Sequence, residues 1–253
     1  MTASLVVATW NVLHRIHAEN WDEPSIVDHP DERGRIAAIA ELVATVLAPE
    51  CAIICLQEVS GDQLAALRRA LPGSHQVVSM VYPRIPRPRR GPSQLVDPTE
   101  HLVIVTAGRS SSFGRTEAAF PTDAGKGYLA IELTPGGTVV IDTHVSYGDR
   151  HAAQCTELAE VAGRQRDAVA ILGDFNASRA AVTRTFGADF KAAELPEGSL
   201  STHPRVKPSA KSRNIDHVVT LRGRAHEARV VSAEGLSDHN IVIARIASLS
   251  RSR

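Results

Sequence analysis

Aromatic residues, net charge and long apolar runs are all scarce in this sequence, and each scarcity argues against a class of protein. Phe, Trp and Tyr make up only 4% of the 253 residues, so an extended platform for stacking the bases of a single strand is not evident. The 28 basic and 28 acidic residues cancel, which leaves only local patches to attract a polyanion. No apolar run approaches the length of a membrane-spanning helix.

Cysteine is also rare, with three residues in the chain. Cys51 and Cys55 lie four residues apart in one apolar strand pattern, too far along an extended chain to form a disulfide, and Cys155 lies in a helical pattern. No group of four Cys and His residues at zinc-ligand spacing surrounds them, so we do not expect a zinc site. The segment 1–5 enters a strand pattern without a basic region or cleavage site. We therefore expect core thiols in a reducing compartment and a cytoplasmic protein.

Apolar strand patterns alternate with helical periodicity along the chain, without an internal repeat or a linker. Strand patterns cover residues 4–10, 51–56, 75–81, 100–106, 115–120, 127–133, 138–143, 169–174, 214–219, 229–233 and 241–246. Helical spacing covers 33–48, 61–71, 150–166 and 177–186. The segments 19–32 and 82–98 contain proline and are predicted to be loops. The alternation predicts a single α/β domain over residues 1–253.

Polar side chains stand at the ends of at least five apolar strand patterns. Asp174 and Asn176 follow the run 169–172 and, being two residues apart, leave the strand on the same side. The other strand-end residues are Asn11, Glu58, His144, Asp238 and His239. If these ends share one edge of the packed sheets, the side chains converge in a cleft. Carboxylate and amide oxygens suit Mg²⁺, which keeps several waters and uses oxygens of a phosphate substrate as further ligands.

Each of these residues also has an ordinary structural interpretation. Asp174 or Asn176 alone is compatible with a helix cap, Asn11 with a turn, and His144 with a buried structural histidine. A functional site is favoured over these alternatives because polar residues stand at the ends of at least five strand patterns.

Six motifs along the chain resemble, in order, those of the endonuclease/exonuclease/phosphatase superfamily. They are Ala8-Thr9-Trp10-Asn11-Val12-Leu13, Cys55-Leu56-Gln57-Glu58-Val59, Asp142-Thr143-His144, Gly173-Asp174-Phe175-Asn176, Asn214-Ile215-Asp216-His217 and Ser237-Asp238-His239-Asn240. That superfamily includes DNase I, abasic endonucleases, deadenylases and sphingomyelinases. The resemblance implies a four-layer α/β/β/α sandwich, in which two packed mixed β-sheets are flanked by helices. It also implies hydrolysis of a phosphoester by metal-assisted attack of water, with Mg²⁺ as cofactor and Mn²⁺ as its substitute.

For the metal, the resemblance implies that Glu58 is the principal ligand and that Asn11 lies beside it. Asp238 would be a metal-associated acid that also orients His239. A carboxylate fixes the tautomer of an imidazole and raises its basicity, so His239 would accept a proton from water or stabilise the phosphoryl oxygens.

For the attacking water and the phosphate, the resemblance assigns four further residues. Asp174 would orient or deprotonate the water, and Asn176 would hold a phosphate oxygen. His144 would donate to a nonbridging oxygen as negative charge develops in the transition state. Asp216 would support His144 or the water through a hydrogen bond.

Two basic, proline-bearing loops favour a polyanionic substrate. The residues predicted to bind it are Arg84, Arg87, Arg89, Arg90, Arg150, Lys207, Lys211 and Arg213. Such binding would weaken with salt. The loops are equally compatible with solvated surface.

The substrate class itself stays open on the sequence. A nuclease acting on RNA or DNA is the first interpretation, and a phosphatase or phosphodiesterase of a small metabolite, nucleotide or cyclic phosphate is the alternative. A non-catalytic binding protein on the same fold is a third. The segment 11–18 resembles the deadenylase and cyclic-phosphate members more than DNase I. We expect a monomer.

Overall fold

Two mixed six-stranded sheets form the centre of the computed structural model, which describes residues 4–48, 51–108, 111–134, 137–205 and 211–248. In chain order the strands are β1 Ser4–Asn11, β2 Cys51–Ser60, β3 Gln76–Val81, β4 Glu100–Thr106, β5 Ser111–Phe120, β6 Asp123–Thr134, β7 Val139–His144, β8 Val169–Asp174, β9 Phe190–Ala192, β10 Asp216–Leu221, β11 Gly223–Val231 and β12 Ile241–Ser248. The first sheet has the order β11-β12-β1-β2-β4-β3, and the second has the order β5-β6-β7-β8-β10-β9.

Helices cover the outer face of each sheet. On the first sheet these are α3 Glu32–Leu47 and α4 Gly61–Ala70, and on the second α5 His151–Gly163 and α6 Arg179–Phe186. Two short helices, α1 Arg15–Trp21 and α2 Ser25–Asp28, lie between β1 and α3 in the chain. One apolar cluster joins the first sheet to α3 and α4, a second lies between the two sheets, and a third joins the second sheet to α5 and α6. Three apolar layers between four layers of structure confirm the predicted α/β/β/α sandwich.

One edge of the sandwich collects the ends of the central strands. β1 pairs with β2, and β7 with β8, in parallel, so their carboxyl ends lie together at that edge. β10 is antiparallel to β8, and β12 is antiparallel to β1, so the beginnings of β10 and β12 come to the same edge. The topology therefore gathers the polar residues that the sequence places at strand ends.

The expected loop 19–32 is wrong in part, because α1 runs to Trp21 and α2 occupies its middle. The His14 ring accepts a hydrogen bond from the Ile16 backbone and caps α1, a local signal that apolar periodicity does not show. The segment 82–98 contains no helix or strand, as predicted. The three cysteines are free and buried. No helix among the described residues is long and apolar enough to cross a membrane.

Gly173 is required by the close approach of β8 to β7. A Cβ at this position would lie 1.9 Å from the carbonyl oxygen of Thr143. We expect Gly173→Ala to lower the free energy of unfolding by about 3 kcal/mol or more, because the backbone of a neighbouring strand has to move. Urea unfolding measures the difference.

Gly163→Ala is the matched control, since a Cβ there would meet nothing within 4 Å at the exposed end of α5. It should be neutral or stabilising by up to about 1 kcal/mol. Equal stability of the two variants would contradict the steric explanation.

Candidate active site

The polar strand-end residues meet at one edge of the sandwich. They are Asn11 at the end of β1, Glu58 in β2, His144 at the end of β7, Asp174 at the end of β8, Asn176 two residues beyond it, Asp216 at the start of β10, and Asp238 with His239 just before β12. All of them except Glu58, Asn176 and Asp238 are buried. Burial without partners would be costly, so their hydrogen bonds show how the cluster is held together.

Backbone conformation helps to aim two of these side chains. Glu58 has φ 58° and Asn176 has φ 51°, in the left-handed region that residues other than glycine rarely adopt. At Glu58 the pairing of β2 with β4 also shifts register, between Leu56 and Val59. Residues other than glycine keep a left-handed conformation only where the surrounding structure holds them in it. Such residues are concentrated at functional sites.

Asn11 links the two principal carboxylates. Its Nδ2 lies 3.2 Å from Glu58 Oε1 and 3.2 Å from Asp174 Oδ2, and its Oδ1 accepts from the Leu13 backbone at 3.0 Å. The His14 backbone donates to Glu58 Oε2 at 3.1 Å. The amide therefore fixes both carboxylates and keeps them close to one another.

His144 and Asn176 lie on the other side of Asp174. His144 Nε2 is 3.3 Å from Asp174 Oδ2, and the Asn176 backbone donates to Asp174 Oδ1 at 2.8 Å. Asn176 Nδ2 lies 3.4 Å from His144 Nε2 and donates to the Val145 carbonyl at 3.0 Å. These contacts bring the predicted water-orienting and phosphate-holding residues together.

His239 is oriented by Asp216. Its Nδ1 lies 3.0 Å from both carboxylate oxygens of Asp216, whereas its Nε2 is 4.0 Å from Asp238 Oδ1. The expected orientation of His239 by Asp238 is replaced by Asp216, which bonds His239 and not His144. The alternative role of Asp216, support of the attacking water, stays a prediction. Asp216 is the first residue of β10 and faces Asp174 in the β10–β8 register, which brings it to the site beside His239. Asp238 instead bonds the ring of His203 through its Oδ2.

The charges of this cluster shift several pKa values. Burial would lower the pKa of His239, but the surrounding Asp216, Asp238 and Asp174 outweigh it and raise that pKa to about 10. Burial would raise the pKa of Glu58, but His17, His144 and Lys126 lower it to about 2. Asp174 is likewise buried, and His239 and His144 hold the pKa of its carboxyl below the usual value. At neutral pH the site therefore contains ionised carboxylates around a protonated His239.

Asp216→Asn tests the pairing through the pH dependence of stability. Because the pKa of His239 is raised in the folded state, protonated His239 contributes fully to the free energy of unfolding below its ordinary pKa of 6.5. This stabilisation is lost as the pH rises through about 10. We expect the metal-free variant to be less stable by about 3 kcal/mol at pH 6.5, with the difference from the unmodified protein shrinking toward pH 10. Urea unfolding in chelator measures it. The pairing would be contradicted if the loss of stability in Asp216→Asn did not depend on pH. It would also be contradicted if that loss were no larger than in Asp189→Asn, which changes an exposed carboxylate.

The donor set suits a hard divalent cation. Asp238 Oδ2 lies 3.1 Å from His203 Nε2, while its Oδ1 is buried without a hydrogen-bond partner among the described residues. The negative charge of Asp238 also acts on Glu58, where it opposes the lowering of the Glu58 pKa. Two repelling carboxylates, one with an unpartnered buried oxygen, are what an oxygen-seeking cation would stabilise.

Four residues at the site escaped the sequence analysis. Lys126, in β6, places its Nζ 2.9 Å from His144 Nδ1, and His203 stacks on the ring of His239 at 4.4 Å. His17 Nε2 bonds Glu100 Oε2 at 3.1 Å, and both side chains lie within 4.8 Å of a carboxylate oxygen of Glu58. None of the four belongs to the six motifs. Glu100 does stand at the beginning of the strand pattern 100–106 and Lys126 directly before the strand pattern 127–133, which is the signal that could have found them.

The predicted substrate-binding cations do not form one patch. Arg84 and Arg150 both bond Asp123, at 2.9 and 3.2 Å, near the His144 loop. Arg90 pairs with Asp22. Arg87 and Arg89 line an open groove that also contains His17, while Lys211 is exposed and Arg213 is bonded to His203 through its backbone. Lys207 lies outside the described residues.

Solved structures with the same fold extend over nearly the whole chain. A functionally unknown conserved protein from Enterococcus faecalis V583 is similar with a TM-score of 0.71 at 17% identity, covering 96% of this chain and 100% of that one. TDP2 of D. rerio, in complex with a single strand DNA product, has a TM-score of 0.68 at 14% identity and covers 97% and 100%. An endonuclease/exonuclease/phosphatase family protein from Bacteroides thetaiotaomicron has a TM-score of 0.69 at 16% identity and covers 98% and 96%.

Sequence comparison agrees with the fold. No curated protein matches the chain. The model of the Endonuclease/Exonuclease/phosphatase family, however, matches residues 8–239, which include every residue of the cluster. With that match spanning the motifs from β1 to the start of β12, the chain belongs to the Endonuclease/Exonuclease/phosphatase family.

Proposed function

We propose that this protein is a magnesium-dependent phosphodiesterase that cleaves a nucleic acid strand with water as the nucleophile. The observation that carries the proposal is the convergence of Glu58, Asp174 and the Asp216–His239 pair at one edge of the sandwich. Membership of a family of phosphoester hydrolases supports the reaction class. The TDP2 relative bound to a single strand DNA product supports the nucleic acid.

Glu58 and Asp238 would hold the metal, with Asn11 beside them, and Mn²⁺ would substitute for Mg²⁺. Glu58 stays ionised across the working pH range because its pKa is lowered to about 2. Asn11 keeps the Glu58 and Asp174 carboxylates at a fixed separation through its amide nitrogen. Bound there, the cation would supply Lewis-acid polarisation of a phosphoryl oxygen.

Asp174 would position the attacking water. Its pKa lies below the usual value, so its carboxylate is charged at neutral pH and accepts the hydrogen bond that aims the water at phosphorus. As the new P–O bond forms and the ester P–O bond breaks, the proton of the water would pass to Asp174 and from there to solvent. The leaving ester oxygen would keep the electron pair of the broken bond and take a proton from solvent. Its own orientation is fixed by Asn11, His144 and the Asn176 backbone.

His144, Asn176 and His239 would bind the phosphoryl oxygens. His239 carries a proton because its pKa is raised to about 10, and its Nδ1 is bonded to Asp216, which leaves Nε2–H to face the substrate. Nε2 of His239 lies 3.8 Å from Asp174 Oδ2, so donor and water-binding carboxylate act on the same phosphate. Donors fixed in advance stabilise charge that grows in the transition state without reorganising.

A small phosphoester is the second candidate substrate, and one cavity favours it. A cavity of about 230 Å³ adjoins Asp238 and is lined by Leu200, Pro204 and Arg205 among others. Arg205 is fixed by an ion pair with Glu23 at 3.5 Å. A cavity of this size admits a single small leaving group rather than a polymer.

A substrate panel separates these candidates. Bis-p-nitrophenyl phosphate, p-nitrophenyl phosphate, single-stranded and duplex DNA, single-stranded RNA, cyclic nucleotides and nucleoside monophosphates are each incubated with Mg²⁺ and, in parallel, with chelator. We expect turnover of the diesters and of the single strands, abolished by chelator and restored by Mg²⁺ or Mn²⁺. Turnover of a monoester or cyclic nucleotide alone would favour the small substrate. No turnover of any diester would overturn the proposal and leave a binding protein.

A further inference from the structure

An exposed tryptophan stands beside the candidate active site. Trp21, the last residue of α1, is 60% exposed, whereas Trp10 is fully buried. Ile85, on the facing loop, is 49% exposed. Exposing large apolar side chains together is unfavourable, so such a pair marks a surface that binds something.

The guanidinium of Arg89 lies over the ring of Trp21, 4.8 Å from its centroid. Asn20 fixes the loop that carries Arg89: its Nδ2 donates to the Arg87 carbonyl at 3.0 Å, and its Oδ1 accepts from the Arg89 backbone at 2.8 Å. These two hydrogen bonds hold the backbone of Arg89 in place next to Trp21. The contact creates a layer of two flat, stacked groups, one aromatic and one cationic.

These residues line an open groove of about 1050 Å³. Its wall carries the guanidinium groups of Arg84, Arg87 and Arg89, and of these only Arg84 pairs with a carboxylate among the described residues, namely Asp123. This volume is at the upper end of the range for small-ligand sites, so the groove has room for a nucleotide.

One residue of the groove lining, His17, lies next to a catalytic carboxylate. It lies within 4.8 Å of a carboxylate oxygen of Glu58. Arg84 is bonded to Asp123, close to the His144 side of the site. The groove therefore adjoins the site on both its Glu58 side and its His144 side.

We propose that this groove binds a single-stranded nucleic acid, with one base stacked on the Trp21–Arg89 layer and the backbone phosphates on Arg84 and Arg87. The occupant has to offer a flat face for the ring and negative charge for the guanidiniums, and a nucleic acid strand offers both. A duplex does not, because its bases are already stacked on each other. The inference rests on the proposed phosphodiesterase function and adds the strand form and its path.

The test measures Trp21→Ala on two substrates, a single-stranded oligonucleotide and bis-p-nitrophenyl phosphate, which is too small to reach the layer. We expect the ratio of their kcat/KM values to fall about tenfold or more, because stacking on one aromatic residue accounts for that much binding. Trp21→Phe keeps a ring and should recover most of the ratio. Val27→Ala removes an even more exposed apolar group outside the groove and should change nothing.

Binding is read directly by tryptophan fluorescence and by salt dependence. A stacked base should quench the exposed Trp21, and that quenching should be absent in Trp21→Phe. Arg87→Ala should lower the slope of log affinity against log salt by about 1, as expected for one lost phosphate contact.

The outcomes distinguish this inference from the proposed function. If the unmodified protein hydrolyses bis-p-nitrophenyl phosphate and Trp21→Ala leaves the substrate ratio unchanged, the groove assignment is overturned and the function stands. If neither substrate is turned over but the oligonucleotide still quenches Trp21, the function fails and the groove stands. If Trp21→Ala weakened the binding of a blunt duplex as much as the binding of the single strand, the single-strand assignment would be overturned.

Discussion

Asp174→Asn is expected to lower kcat for a phosphodiester by about 1000-fold or more while the protein stays folded. The substitution keeps the shape of the side chain and one acceptor oxygen for the Asn176 backbone, which now lies 2.8 Å away. It removes the charge that aims the water, and loss of a positioned base typically costs between about 100- and 10,000-fold. Steady-state kinetics on bis-p-nitrophenyl phosphate measures the change.

The same substitution has a second effect that separates a catalytic role from a structural one. Asp174 is one of the charges that raise the pKa of His239, so that pKa should fall in the variant. Nuclear magnetic resonance titration of the imidazole detects the shift, and thermal unfolding confirms that the fold is kept. Asp149→Asn, on an exposed carboxylate of the short helix before α5, is the matched control. Activity within a factor of two of the unmodified protein would contradict the assignment of Asp174.

Glu58→Gln is the second change with a large expected effect, and it acts on the metal. We expect the affinity for Mn²⁺ to fall by about 100-fold or more, since even residues that only orient a ligand commonly change metal affinity by about 10- to 100-fold. Turnover should fall with it and recover in part at high Mg²⁺ concentration. Isothermal titration calorimetry measures the affinity.

The pH dependence sharpens the prediction for Glu58. With a pKa of about 2, its carboxylate remains charged above about pH 4, so protonation of Glu58 cannot account for a loss of metal binding near neutral pH. Glu41→Gln changes an exposed carboxylate on α3 and should leave metal affinity unaltered. Should Glu58→Gln bind Mn²⁺ as tightly as the control, the metal would have to lie elsewhere.

Local pattern determined the larger part of the fold. Apolar runs such as Val169–Leu172 are long enough only for buried strands, and helical spacing in 33–48 gives α3 almost to the residue. Polar residues directly after such runs locate the site, as at Asn11, His144 and Asp174, although β2 continues past Glu58 to Ser60. These signals are local, and local chemistry is what a single sequence displays.

The side-chain contacts between different strands of the site depend on the order of the strands within each sheet. Asp216 reaches His239 because β10 lies beside β8, whereas Asp238 bonds His203. Lys126 comes to His144 through the β6–β7 pairing, where Gly127 faces His144. Neither pairing leaves a mark on the sequence, since each depends on register between distant segments.

The sequence by itself determined that this chain is an α/β protein with polar residues at the ends of its central strands and with motifs of one phosphoesterase family. Only the tertiary structure decided which carboxylate holds which histidine, and that Trp21 lies exposed under Arg89 in a groove that adjoins the site on its Glu58 side. An overall aromatic content of 4% argued against base stacking. Composition averages over the whole chain, whereas a binding surface depends on the few side chains that folding leaves exposed in one place.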